Sequence, residues 1–182
     1  MTGTRLAALL RGINVGGNHP LSMRDLRAAL GEAGCTDVVT YIQSGNVVFT
    51  PPPRLRIDPA TWLTDVVSAA AGFDVPVVVR TAAELERIVA ENPYPVTDPK
   101  LVHAAFFREP ERAAAYVDID LEAFEPEHLT VAGGTVYLWL PRGAGRSPMV
   151  TALDRRTRRQ RLDPGTIRNW NTVIKVHELL SA

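Results

Sequence analysis

The sequence contains a single cysteine, Cys35, so no disulfide can form within the chain. Its longest apolar runs, such as Leu6 to Leu10 and Val75 to Val79, are far shorter than the roughly 20 residues of a membrane-spanning helix. The N-terminal segment, Met1 to Leu10, lacks the basic start, long apolar stretch and small-residue cleavage site of a signal peptide. Together these absences predict a cytoplasmic protein that does not enter a membrane.

The patterns of common catalytic and metal sites are missing as well. The four histidines are scattered, and none belongs to an H-E-x-x-H pattern. No G-x-S-x-G elbow occurs, and neither Ser44 nor Ser147 has a partner base that the sequence reveals. Cys35 fits a buried small hydrophobe as well as a reactive thiol. The sequence therefore indicates no metal and no cofactor, and any catalytic residue stays unknown.

The 182 residues have an ordinary globular composition, with 46% hydrophobic and 22% charged residues, enough for one domain or two small ones. The net charge is zero, but from Arg142 onward nine Lys and Arg face three Asp and Glu, and the preceding residues carry the opposite excess. Such asymmetry indicates an anion-binding face, a solvated helix surface, or a basic tail that packs on an acidic region of the same chain. The run Arg155 to Arg161 holds five arginines without an interleaved aromatic, which favours a solvated helix face over a nucleic-acid platform.

The first 80 residues predict the order β-α-β-β-α-β, which is that of the ferredoxin-like split βαβ unit. Ser22 is typical of a helix cap, and Asp58-Pro59 fits the cap and first position of a second helix. Ser44-Gly45-Asn46 is typical of a turn between two strands. The predicted strands are Leu6 to Leu10, Val38 to Gln43, Val47 to Thr50 and Val75 to Arg80.

The second half predicts a strand, a helix opened by Pro110, a hairpin turning at Gly133-Gly134, a helix capped by Ser147, and a final amphipathic helix. We therefore expect an α+β protein of two ferredoxin-like (α/β plait) subdomains with an extra C-terminal helical segment. The expected subdomains are 1–80 and 101–182, and residues 81–100 form a bridging helix and loop.

Four blocks of the sequence resemble the family called domain of unknown function 1697 (DUF1697). The blocks are Leu9 to Gly17, Tyr41 to Phe49, Gly145 to Ser147 and Thr166 to Thr172. The resemblance implies an α/β architecture with two ferredoxin-like parts, and it implies no activity. The family usually has a lysine after the Gly-Arg-Ser block, where this chain has Pro148. If that lysine contacts a ligand in relatives, this chain binds the ligand differently or not at all.

The glycine-rich loop Arg11 to Asn18 lies between a predicted strand and a predicted helix. Its backbone N–H groups suit an anion, and Arg11 adds a planar fork for phosphate or carboxylate. It has neither the Walker A ending nor the Rossmann spacing. The alternative is a tight connection whose glycines serve geometry only.

The block Arg168 to Asn171 combines an arginine fork, two amides and a large ring, which can grip a phosphate and stack on a base. It is equally consistent with an asparagine that caps the last helix and a tryptophan in the core. Ser44 and Asn46 belong either to a pocket rim or simply to their turn.

These blocks lead to the hypothesis that one cleft binds a phosphate-bearing ligand, either a nucleotide or a nucleic acid. The candidate residues are Arg11, Gly12, Asn14, Gly16, Gly17, Ser44, Asn46, Arg146, Ser147, Arg168, Asn169, Trp170 and Asn171. Two alternatives stay open: an enzyme acting on a small anionic metabolite at the same cleft, and a non-catalytic protein-interaction module. The sequence leaves the oligomeric state open.

Overall fold

The computed structural model describes residues 4–182 and divides the chain into two units. One unit contains the residues up to Leu85 together with the C-terminal Val176–Ala182, and the other is Glu86–Lys175. Each unit holds one four-stranded sheet in which all neighbouring strands are antiparallel. The chain is therefore a mixed α and β protein, as the sequence predicts.

The first unit follows the predicted order β-α-β-β-α-β. Its elements are β1 (Leu6–Leu10), α1 (Met23–Glu32), β2 (Thr36–Tyr41), β3 (Asn46–Thr50), α2 (Pro59–Ala71) and β4 (Val77–Arg80), and α3 (Ala82–Ala90) follows. The strands lie in the order β2-β3-β1-β4. Apolar side chains of α1 and α2, among them Leu26 and Leu63, pack with Ala8, Leu10 and Phe49 of the sheet to form the core of this unit.

Local capping residues explain where these helices begin and end. The backbone N–H of Asp25 donates to Ser22 Oγ (3.0 Å), and that of Thr61 donates to the Asp58 carboxylate (2.8 Å). Gly72 ends α2 in the left-handed conformation, which glycine adopts without steric cost. The two helix starts that the sequence predicts for the first unit, at Ser22 and Asp58, are thereby confirmed.

The second unit repeats the strand arrangement of the first. Its elements are β5 (Val102–Phe106), a 3₁₀ helix (Pro110–Tyr116), β6 (His128–Ala132), β7 (Thr135–Trp139), α4 (Pro148–Gln160) and β8 (Thr166–Asn169). The last helix, α5 (Trp170–Ser181), begins in this unit, and its residues from Val176 onward belong to the first unit. Short 3₁₀ turns lie at Glu122–Phe124 and Ala144–Arg146. The strands of this sheet lie in the order β6-β7-β5-β8. Counted along the chain within each unit, this is the same order, second-third-first-fourth, as β2-β3-β1-β4 of the first unit.

Two elements of the second unit differ from the sequence prediction. The segment from Pro110 is a 3₁₀ helix, because its bonds span three residues, as from Arg112 N–H to Glu109 O (3.0 Å). Strand β8 was not predicted, and the sequence signal for it is weak. It has four residues, Ile167 is its single large apolar side chain, and it pairs on one side only, with β5.

One core cluster of the second unit lies on one face of its sheet. Ala105, Val136 and Leu138 of the sheet pack there with Tyr116 of the 3₁₀ helix and Met149 of α4. Within residues 4–182, no helix is both long enough and apolar enough to cross a membrane.

Candidate functional site

The glycine-rich loop between β1 and α1 is a small exposed hairpin. Val15 and Asn18 form an isolated antiparallel bridge, and Asn18 N–H donates to Val15 O (3.0 Å). Gly16 and Gly17 between them have φ values of 58° and 79°, and nothing within 4 Å would meet a Cβ at either position. A two-residue turn with positive φ at both central positions favours glycine, which adopts positive φ without steric cost. The turn alone therefore accounts for these two glycines.

Asn14 fastens this loop to the rest of the first unit. Its Nδ2 donates to Leu21 O and to Gln43 O, both at 2.8 Å, and its Oδ1 accepts from Leu21 N–H at 2.9 Å. The residue adopts φ 54°, a left-handed conformation that asparagine tolerates better than most residues. Both amide protons of Asn14 are thus used within the scaffold.

The second block packs directly against the first. Leu10 N–H donates to Gly45 O (2.8 Å), and a Cβ at Gly45 would lie 2.7 Å from both Leu10 Cβ and Ile13 Cδ1. Gly45 also has φ 78°, so no other residue fits without a shift of its neighbours. Asn46 is fully buried, and its Nδ2 donates to Tyr41 O (3.0 Å) and Ser44 Oγ (3.1 Å). The structure brings the first two blocks together through packing.

Arg11 and the loop tip contain the more accessible polar groups of these two blocks. Arg11 is half-buried, and its backbone N–H donates to Pro76 O (3.0 Å). Gly12, Gly16 and Gly17 are exposed. His19 stacks on Phe73 with ring centroids 4.6 Å apart, and its Nδ1 lies 3.2 Å from Gly12 O.

The third block lies in the second unit and begins α4. Ser147 is buried; its hydroxyl donates to Glu127 Oε2 (2.7 Å) and accepts from Val150 N–H (2.9 Å). The N–H of Met149 donates to the same Glu127 oxygen (3.1 Å). Pro148 fits the first turn, because its missing N–H would have no partner within the helix. Ser147 therefore acts as a helix cap, and Arg146 before it is exposed.

The fourth block spans β8 and the start of α5. Asn169 Oδ1 accepts from Thr172 N–H and Thr172 Oγ1, each at 3.0 Å, so Asn169 caps α5. Trp170 is buried, with its ring centroid 6.4 Å from that of Tyr137. Arg168 Nη1 donates to Ile167 O (2.9 Å), and desolvation lowers the pKa of its guanidinium to about 10. Asn171 is exposed.

The predicted site thus draws on both units, since the first two blocks belong to one and the last two to the other. Convergence of all four blocks on one ligand stays a prediction. Most of the amide and hydroxyl side chains proposed for ligand contact, namely those of Asn14, Asn46, Ser147 and Asn169, have scaffold roles within their own unit.

A more concentrated cationic surface lies on α4, where the sequence favours a solvated helix face. Arg155, Arg156, Arg159 and Gln160, together with Ala152, line a shallow depression of about 500 Å³. Arg156 is held in place, because its Nη1 donates to Asp118 O (3.2 Å) and its Nη2 to Ala115 O (3.1 Å).

Arg155 and Arg159, four residues apart, are exposed beside Arg156. Arg158 forms an ion pair instead, with its Nη2 2.9 Å from Asp154 Oδ2. From Arg142 to Arg161 the chain has seven arginines and one acidic residue. We call the surface formed by Arg155, Arg156 and Arg159 the arginine face.

The groups that could support other chemistry are buried or dispersed. Cys35 belongs to the core of the first unit, and burial raises the pKa of its thiol to about 11. Of the two alternatives for this residue, the buried small hydrophobe therefore fits better than the reactive thiol. His103 is buried in β5, and desolvation lowers the pKa of its ring. In the part of the chain that the structure describes, no three His, Cys, Asp or Glu side chains are grouped to hold a metal ion.

Comparisons with known proteins agree with the resemblance of the sequence blocks. The family model described as "Protein of unknown function (DUF1697)" matches residues 3–137, about three quarters of the chain. The chain belongs to this family. The solved structure of the conserved bacterial protein SP0830 from Streptococcus pneumoniae is similar, with a TM-score of 0.68 and 25% sequence identity over 97% of this chain and 98% of that one. No curated protein matches the chain.

Proposed function

We propose that this DUF1697 protein binds a phosphate-bearing ligand and that the arginine face of α4 makes the contact. The observation that supports the proposal best is the composition of the depression, whose polar lining consists of three guanidinium groups and one amide. Like charges at helix positions i and i+4, such as Arg155 and Arg159, repel each other by a few tenths of a kcal/mol. An anion bound between them removes that repulsion.

The geometry of the face suits phosphate oxygens. A guanidinium presents several N–H donors in a rigid plane, which matches two oxygens of one phosphate. Arg156 is fixed by two backbone carbonyls and by Gln160 Oε1, to which its Nε donates (3.2 Å), so it contributes its charge with little loss of side-chain entropy. The helix dipole places about half a negative elementary charge at the C-terminal end of α4, which repels an anion, whereas the three arginines contribute three full positive charges. The attraction therefore dominates.

The same lining indicates which ligand class and which chemistry the face supports. It includes no aromatic ring on which a base could stack, so we infer contact with the phosphate groups of a nucleic acid rather than with its bases. The lining includes no carboxylate, imidazole, amine or thiol side chain. General acid–base catalysis therefore has no group at this surface, and the binding function is favoured over the enzyme.

We also infer that each unit is a ferredoxin-like plait and that the protein is cytoplasmic. The first unit supports the plait through its β-α-β-β-α-β order and its β2-β3-β1-β4 sheet, and the second repeats that sheet order. The cytoplasmic location is supported by the single, buried cysteine.

The test measures binding of fluorescently labelled single-stranded RNA by anisotropy at several salt concentrations. Three phosphate contacts predict that log K falls against log salt with a slope of about 2. In the double variant R155Q/R159Q the slope should fall below about 1, with a loss of affinity at low salt. ATP added as a competitor shows whether a lone triphosphate occupies the same face.

The matched control is R112Q/R158Q, which removes the same net charge from two arginines already paired with Glu109 and Asp154. It should bind RNA nearly as the unsubstituted protein does. Equal binding by the two double variants would show that net charge alone attracts RNA, and the proposed site would be abandoned.

A further inference from the structure

We propose that the second unit contains a binding site for a small aromatic molecule that carries one hydrogen-bond donor. The site is a cavity of about 190 Å³ between the sheet and the side of α4 that carries Leu153 and Thr157. It is separate from the arginine face, and the inference does not depend on the proposed phosphate binding.

The cavity arises from one small side chain in the middle of the sheet. Ala105 of central strand β5 lies opposite Val136 of β7 and Ile167 of β8. Its methyl group leaves a hollow between two larger neighbours. The floor residues Ala105, Val136 and Leu138 are 4%, 2% and 1% exposed, whereas Ile167 is 39% exposed. The hollow therefore opens to solvent at the Ile167 side, and a ligand has a way in.

The volume decides the size of the ligand. The hollow is lined mainly by apolar side chains, so a ligand that enters it removes apolar surface from water. An engineered apolar cavity of about 150 Å³ in another protein stays dry and binds benzene. The cavity here is somewhat larger and takes one ring or two fused rings. It is smaller than the roughly 300 Å³ and upward of pockets for drug-sized ligands, which excludes a nucleotide.

The polar groups of the cavity predict the chemistry of the ligand. The Tyr116 hydroxyl donates to Asp163 O at 2.6 Å, and its oxygen lies 3.2 Å from Thr157 Oγ1. With the Tyr116 proton directed to Asp163, Thr157 donates to the Tyr116 oxygen, and its own oxygen keeps a lone pair to accept with. Asp154 lies at the rim, but both of its carboxylate oxygens already accept from Arg158, at 3.2 and 2.9 Å. The acceptor inside the cavity is therefore Thr157 Oγ1, which matches a ligand that donates, such as a phenol, an indole or an aromatic amine.

The experiment titrates the methyl-labelled protein with indole and follows its ¹H–¹³C spectrum. We expect saturable shifts confined to the methyl groups that line the cavity, namely those of Ala105, Val136, Leu138, Val150 and Leu153. The probe 1-methylindole has the same rings without the N–H donor. It should bind about three- to tenfold more weakly, which corresponds to one lost hydrogen bond.

Two variants of the same chemical kind test the location. Ala105→Leu fills the hollow and should abolish the indole shifts, whereas Ala152→Leu lies on α4 outside the cavity and should leave them unchanged. If Ala105→Leu does not fold, Leu153→Phe narrows the cavity from α4 and should weaken binding at least tenfold.

Three results would overturn the inference: no saturable shift in the unsubstituted protein up to the solubility of indole, shifts that persist in the filled variants, or shifts that map elsewhere. Equal affinity for the two indoles would overturn the donor requirement. The R155Q/R159Q protein should bind indole normally, so a failure of phosphate binding and a failure of this site are distinguishable.

Discussion

Replacing Asn14 tests whether the first sequence block acts as scaffold. The side chain makes three hydrogen bonds, two to backbone carbonyls and one from a backbone N–H. Each such bond contributes about 0.5–1.5 kcal/mol to stability. Because Asn14 is half-buried, water replaces part of what is lost. We therefore expect Asn14→Gly to lower the free energy of unfolding by about 1.5–3 kcal/mol.

Asn14→Ala should have a free energy of unfolding about 1 kcal/mol lower than that of Asn14→Gly, because an alanine at φ 54° places its Cβ in a strained position. Urea denaturation of the two variants gives both differences. The control is Asn18→Ala at the exposed tip of the same loop, which should stay within about 0.5 kcal/mol of the unsubstituted protein. If the free energy of unfolding of Asn14→Gly changes by less than about 0.5 kcal/mol, Asn14 has no structural role, since the loss of three hydrogen bonds must lower stability by more than that.

Two further predictions follow from groups buried away from the arginine face. The Cys35 thiol should react with a disulfide reagent at pH 8 only as fast as the protein opens, because its pKa of about 11 keeps it protonated; rapid labelling of the folded protein would contradict this. Burial lowers the pKa of His103, so the unfolded chain binds the proton more tightly and stability falls as the pH drops below about 6.5. Between pH 7.5 and 5.5, the free energy of unfolding of His103→Gln, measured by urea titration, should fall less than that of the unsubstituted protein. Equal falls would exclude His103 as the cause of the pH dependence.

The sequence predicted those parts of the fold that depend on local signals. Ser22, Asp58 and Ser147 cap the helices they were expected to begin, because a cap is a bond between neighbours in the chain. Strand β8 depends instead on pairing with β5, more than 60 residues earlier in the chain. Its own residues carry one large apolar side chain, so nothing local distinguishes it from a loop.

The candidate site was less predictable, because asparagine in a glycine-rich block has two chemically equivalent uses. The amide of Asn46 can donate to a ligand or to Tyr41 O, and only the folded structure shows that it does the second. Sequence spacing gives the same pattern for both. The order within the arginine run was hidden for a related reason: the sequence does not show that Arg156 is fixed by Ala115 O and Asp118 O, because these contacts come from a segment about 40 residues earlier in the chain.

Helix α4 carries both proposed sites on different sides. Residues four apart share a side of a helix, so Leu153 and Thr157 face the cavity while Arg155 and Arg159 face the depression. The two sites therefore use different residues of one rigid element. Substitutions on one side should leave the other intact, and the four variants Arg155→Gln, Arg159→Gln, Ala105→Leu and Ala152→Leu separate them. If indole binding changed affinity for RNA, reciprocity would require RNA to change affinity for indole by the same factor.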